Sequence, residues 1–133
     1  MTAPTKISIK GVVLQGGRAA LLMNERDEWE LPGGRLEPEE APEACVVREI
    51  AEELGLVAAD PVLLDVWIYR IPHKGPVLIV TYGVTVEPGQ PRISDEHSAL
   101  GLFAAAELDA LPMPEGYRRS IRDWMSRCGI PLE

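Results

Sequence analysis

The stretch between Pro42 and Gly55 constrains this chain more than any other segment. Proline is tolerated only in the first turn of a helix, and glycine suits the left-handed residue that ends one. The two therefore bracket a helix that starts at Glu40 or Glu43 and runs to Leu54. At 100° per residue, with Glu49 set to zero, Glu52 falls at about −60° and Glu53 at about +40°, while Ile50, Leu54, Val47 and Ala51 fall between about 100° and 200°. The spacing predicts three carboxylates on one helix face and an apolar stripe on the other.

What the stripe packs against is written in the flanks. Ile7, Ile9 and Val12 to Leu14 read as a strand, Gly16-Gly17 as a turn and Ala19 to Met23 as its partner, giving a hairpin. Trp29 to Gly34 is a turn-rich connection. Val62 to Ile71 and Val77 to Val86 read as long strands joined by Pro72 to Pro76, and both alternating sets of the second are apolar, so its sheet is covered on both faces. Leu100 to Ala104 reads as a short strand. Tyr117 to Arg127 reads as an amphipathic helix that buries Ile121, Trp124 and Met125. These elements describe an α/β sandwich of helices around a sheet, occupying residues 1–133 as one domain with no repeat or linker.

Composition excludes several classes of function. Thirteen basic against 21 acidic side chains leave a net charge of −8 with no basic stripe, which argues against a nucleic-acid polymer as partner. Cys45 and Cys128 form no CxxC pair, so a disulfide framework or metal cluster is unsupported and a reducing cytoplasm is expected. Met1 to Lys10 lacks the apolar core of a signal peptide, and runs such as Pro76 to Val80 fall far short of the ~20 residues that span a bilayer, so no membrane is expected either.

The acid is concentrated. Gly34 to Leu56 holds seven carboxylates against Arg35 and Arg48, a local charge of −5. Glutamates on a helix usually form a solvated face, yet like charges at i, i+3 and i+4 repel, and Arg48 alone on that helix relieves them. A hard divalent cation relieves them better, and brings phosphates to an otherwise acidic protein.

The same segment resembles the Nudix box, G-x5-E-x7-R-E-U-x-E-E-x-G-U with U aliphatic, and every fixed position from Gly34 through Glu40, Arg48, Glu49, Ile50, Glu52, Glu53 and Gly55 to Leu56 is filled. Chance would produce this roughly once in 10⁷ chains of this length. Trp29-Glu30-Leu31-Pro32-Gly33-Gly34 before the box and Asp95-Glu96-His97 after it are similar to the family as well. The resemblance implies the Nudix αβα sandwich, a mixed curved β-sheet packed between helices, and hydrolysis of a nucleoside diphosphate linked to another moiety, with Mg²⁺ or Mn²⁺. It implies that Glu49, Glu52 and Glu53 hold the metal, Glu53 foremost, with the Gly34 or Gly33 carbonyl. It implies too that Arg48 and Glu40 form a structural ion pair and that Gly55 is a cap. The proton from the attacking water falls to Glu49, Glu52 or Glu96, of which Glu96 has an equal reading as turn chemistry. His97 and His73 read as exposed loop histidines.

The substrate is less constrained. Arg18, Arg35, Arg70, Lys74 and Arg92 are candidates for phosphate contacts, and Trp29, Trp67, Tyr69 and Tyr82 for stacking on a base, each with a blander role as solvated charge or strand packing. Pro72, sixteen residues past the box, matches a position the family associates with ADP-ribose, while the short chain fits equally a MutT-like enzyme that cleaves a nucleoside triphosphate. The alternatives are a catalytically silent Nudix domain that senses a nucleotide and a purely structural acidic domain. A homodimer through Trp124, Met125 and Leu132 is compatible with the sequence.

Overall fold

The structure, a computed structural model, describes residues 6–133. Chain order is β1 (Lys6–Val12), β2 (Leu14–Gln15), β3 (Arg18–Met23), β4 (Trp29–Glu30), β5 (Gly33–Arg35), α1 (Pro42–Leu54), β6 (Ala58–Ile71), β7 (Gly75–Val86), β8 (Ala99–Phe103), a 3-10 segment (Ala105–Ala110) and α2 (Glu115–Arg127). The expectation about the N-terminal leader lies partly on residues 1–5, outside the described residues.

The strands form two sheets rather than one. The larger has the order β5-β1-β7-β6, with β1 parallel to β7 and its other neighbours antiparallel. The smaller runs β2-β3-β4, with β8 on the other edge of β3. The split arises at Val13, where the first long apolar run leaves β1 and turns back as the Leu14–Ala19 hairpin of the second sheet.

Helix α1 packs on one face of the larger sheet, and α2 on the other. Val46 and Ile50 of α1 join Ile9, Tyr82 and Val84 in one buried cluster, whereas Ile121, Trp124 and Met125 of α2 join Val12, Leu21 and Ile79 in a second. Both helices approach over a glycine. A Cβ on Gly11 would lie 2.8 Å from Val46, and one on Gly83 would lie 2.1 Å from the Trp124 ring. Trp124 and Met125 are thus core residues, unavailable to an interface; of the three residues considered for one, Leu132 is exposed.

One consequence for α1 departs from the helical-wheel expectation. Its buried residues are Cys45, Val46, Ile50, Glu53 and Leu54, while Ala51 is exposed. The buried face is rotated toward the glutamates, so that Glu53 lies inside it at 5% exposure. Acid and apolar residues do not occupy opposite faces, because β5 crosses over the end of the stripe and brings polar backbone there.

Candidate active site

Glu53 is buried because the start of β5 gives its carboxylate a donor. Gly33 N–H donates to Glu53 Oε1 at 2.7 Å. Gly33 has φ +146°, and a Cβ there would fall 2.0 Å from the Ile9 carbonyl oxygen, so only glycine presents this amide while β5 pairs with β1. The adjacent Gly34 is held against Glu49: a Cβ would lie 2.5 Å from Glu49 Oε1. Two successive glycines therefore let two carboxylates of one helix close on one strand.

Behind Glu53 lies a line of buried charge that crosses between the sheets. Glu53 Oε2 faces His97 Nδ1 at 3.8 Å, and His97 Nε2 hydrogen-bonds Glu30 Oε2 at 3.0 Å. Lys10 Nζ lies 3.5 Å from the same Glu30 oxygen, and Asn24 Nδ2 donates to Glu30 Oε1 at 2.8 Å. Asn24 is placed by its own loop, its Oδ1 accepting from the backbone amides of Arg26 and Glu28 at 2.8 and 3.1 Å.

The ionisation of these groups follows from their surroundings. Burial pushes Glu53 up to about 7, against the Gly33 amide and the positive charges of Lys10 and His97. Burial would raise Glu30 too, but Lys10 and the hydrogen bonds from His97 and Asn24 hold it at about 2. Lys10 is pulled down by burial, and Tyr117, Glu30 and Glu53 outweigh that to keep it near 12. His97 is shifted upward, first by its hydrogen bond to Glu30, then, against burial, by Glu53. Burial raises Glu49 as well, against Arg48, and Glu52 and Glu96 add to the rise.

Arg48 governs the outer glutamates. Its guanidinium grips Glu40 with two hydrogen bonds, of 2.7 and 3.0 Å, and holds Glu40 down to about 2. The same group reaches Glu49 at 3.1 Å and Glu52 at 3.3 Å. Gly55, at φ 68°, ends the helix, its amide donating to the Ala51 carbonyl. Among the described residues no three His, Cys, Asp or Glu side chains converge with the geometry of metal ligands. Glu49, Glu52 and Glu53 instead form a graded set, side chains 13%, 58% and 5% exposed, and Arg48 holds the first two. The donor set itself, carboxylate oxygens beside a glycine cradle that a Cβ would fill, fits a hard divalent cation.

Next to this network opens a cleft of about 230 Å³, walled by Lys10 and Glu30 and lined also by Arg26, Arg35, Tyr69 and Tyr117. Tyr69 donates its hydroxyl to Glu28 at 2.8 Å, and the Arg26 guanidinium sits 5.9 Å from the Tyr69 ring centre.

Of the residues considered for the substrate, Arg35 and Tyr69 border this cleft, and the others lie elsewhere. Tyr82 is buried beneath α1 with its hydroxyl donating to Glu43, so it cannot stack on a base. Arg70 alternates with Tyr69 along β6 and is exposed, outside the cleft lining. Arg18 pairs with Glu107 on the smaller sheet at 3.2 Å. Trp29 packs edge-on against Phe103, ring centres 4.8 Å apart. Trp67 meets Tyr117 edge-on at 5.2 Å. Arg92 crosses the end of α1, its amide donating to the Leu54 carbonyl at 2.8 Å. Lys74 lies on the β6–β7 turn, 4.0 Å from Glu25. Pro72 lies in that same turn.

Glu96 is exposed in the loop before β8, which suits either of its readings. His97 differs from expectation, since its side chain is 6% exposed and wedged between two carboxylates. Lys10, Asn24, Glu30 and Arg26 were not singled out by sequence reasoning. The available signal was a lysine within an apolar strand and a glutamate within Trp29 to Gly34, both of which are otherwise ordinary surface residues.

Comparison with known proteins matches residues 4–124 to the family model described as the NUDIX domain. A Mycobacterium tuberculosis H37Rv protein named "Putative 8-oxo-dGTP diphosphatase 2" is 34% identical over 120 residues, covering 84% of each chain. A "MutT-like protein" of Streptomyces ambofaciens is 32% identical over 125 residues, 92% of this chain and 79% of its own. The crystal structure of a MutT NUDIX hydrolase from Burkholderia pseudomallei superposes with a TM-score of 0.79 at 28% identity, over 90% of this chain and 98% of that one.

Proposed function

Since the chain belongs to the NUDIX family and is a pyrophosphohydrolase acting on nucleotide diphosphate linkages, we propose that its substrate is a purine nucleoside triphosphate carrying an oxidised guanine, the base in the name of the M. tuberculosis relative. Water adds to a phosphorus and one phosphoanhydride P–O bond breaks, giving the nucleoside monophosphate, pyrophosphate and a proton. The observation that carries this reading is the junction of the cationic cleft with the Glu53 network through the shared Lys10 and Glu30 wall. An anionic chain entering past Arg26 and Arg35 meets Lys10 and Glu30, which His97 links to Glu53 of α1. The name of the M. tuberculosis relative supports a triphosphate over a nucleotide sugar, and Pro72 in the β6–β7 turn serves as hairpin punctuation.

In this reading Glu49, Glu52 and Glu53, with the Gly34 carbonyl, hold Mg²⁺ or Mn²⁺. A divalent ion there supplies acidified water and charge neutralisation on the phosphate oxygens. The chain's own residues do the rest. Gly33 N–H fixes Glu53, Arg48 and Glu40 clamp the loop before α1 to the helix, and Lys10 and Arg26 orient the phosphates. Glu49, whose carboxylate is raised, accepts the proton, with Glu96 beside it as the other candidate.

Incubation of the protein with Mg²⁺ or Mn²⁺ and a panel of 8-oxo-dGTP, dGTP, dATP and ADP-ribose tests this. Pyrophosphate release from 8-oxo-dGTP at the highest kcat/KM is expected. Preferential formation of AMP from ADP-ribose would overturn the substrate assignment, and metal-independent turnover would overturn the metal seat.

A further inference from the structure

Glu30 is a heavily engaged carboxylate, and the reaction outlined above uses it only as part of the cleft wall beside Lys10 and Arg26. It sits on β4 with Asn24 on one oxygen at 2.8 Å and both His97, at 3.0 Å, and Lys10, at 3.5 Å, on the other. A counterion for Lys10 alone would need neither Asn24 nor His97. Three donors on two oxygens leave the carboxylate one orientation, and that orientation fixes the imidazole plane of His97. The far ring nitrogen, His97 Nδ1, is buried without a hydrogen-bond partner. It faces Glu53 Oε2 across 3.8 Å. The other Glu53 oxygen is already fixed by Gly33.

We propose that Glu30 is a positioning residue: through His97 it sets the orientation of the Glu53 carboxylate for the divalent cation. The inference rests on the reading of Glu53 as a metal ligand and extends it to residues on β4 and in the loop before β8. An orphaned, buried ring nitrogen has no structural return of its own. It is accounted for if its purpose is to confront Glu53 Oε2 and confine that oxygen to the one direction left open. Outer residues that orient a ligating side chain typically change metal affinity by about 10- to 100-fold when altered.

The test is Mn²⁺ binding to the substrate-free protein, followed by electron paramagnetic resonance of the free ion, for wild type, Glu53→Gln, Glu30→Gln, Glu30→Asp, His97→Gln and the Glu30→Gln/His97→Gln pair. Glu30→Asp keeps the negative charge within the cluster while drawing the carboxylate back from His97, and so serves if Glu30→Gln fails to fold. The expected result is a loss of affinity of about 10- to 100-fold for each single variant. The pair should be no weaker than its weaker member, because both changes break one chain of contacts. In turnover, kcat should fall while KM stays within about threefold of wild type. Wild-type Mn²⁺ affinity in the Glu30 variants, losses that multiply in the pair, or a rise in KM alone would overturn the inference while leaving Glu53 as a ligand. Unchanged Mn²⁺ binding in Glu53→Gln would overturn the metal seat itself, and the inference with it.

Discussion

Removing the charge of Glu53 should stabilise the metal-free protein, and the size of the effect follows from its surroundings. Glu53 is 5% exposed and its carboxyl is pushed up to about 7, whereas in the unfolded chain it titrates near 4.5. A carboxyl with a raised folded-state value favours the fold when protonated. Its contribution is fully present below pH 4.5 and lost as pH rises through about 7. Carrying the ionised form at pH 8 therefore costs about 3 kcal/mol, which for a chain of this length is about 10 °C in Tm. His97, also shifted upward, acts with the same sign. Glutamine preserves the shape: its carbonyl can accept the Gly33 amide and its NH₂ can face His97 Nδ1. In the presence of a chelator, Glu53→Gln should melt about 10 °C above wild type at pH 8 and match it near pH 4.5, with loss of turnover. Differential scanning calorimetry from pH 4.5 to 8.5 decides the matter. A Glu53→Gln protein no more stable than wild type at pH 8, or one that keeps the wild-type slope, would refute the placement of a strained, buried carboxylate here.

Glu30 carries the opposite sign: held at about 2, it stabilises the fold above pH 4.5 and loses that contribution as pH falls toward 2, so Glu30→Gln should flatten the acid limb of urea stability curves, and an unchanged limb would contradict its pairing with Lys10. Arg48→Ala frees Glu49 and Glu52 from a shared guanidinium. The variant should melt lower than wild type without metal yet gain more in Tm from millimolar Mg²⁺, and an equal or smaller gain would show that Arg48 does not compete with the ion. Gly83→Ala would set a Cβ 2.1 Å from the Trp124 ring, and overpacking of this kind should cost about 2–3 kcal/mol in guanidinium denaturation, partly recovered by Trp124→Leu.

What was legible in the sequence divides along a physical line. Spacing within one helix or strand is local, so the sequence places α1 between Pro42 and Gly55, with observed bounds Pro42–Leu54, and the long β6–β7 hairpin is legible in the same way, whereas the Arg48–Glu40 pair came from the family resemblance and not from spacing. Registry between sheets is not local. Lys10, Glu30 and His97 lie 20 and 67 residues apart along the chain, and no periodicity brings them together; the pairing of β3 with β4 and β8 sets the loop before β8 over the end of β4, and Lys10 arrives from β1 of the other sheet. The helical wheel misplaced Glu53 for the same reason. Hydrophobic spacing locates the face that favours burial in the absence of polar partners, and it has no means of representing a Gly33 amide delivered from another strand that makes burial of a carboxylate tolerable. Tyr82 failed in the reverse sense, since an aromatic ring reads identically whether a strand turns it toward a cleft or beneath a helix. The residues that sequence reasoning missed are polar groups whose burial is permitted by distant partners, and a search for lysine, asparagine or glutamate inside short apolar strands is the signal that would have found Lys10 and Glu30.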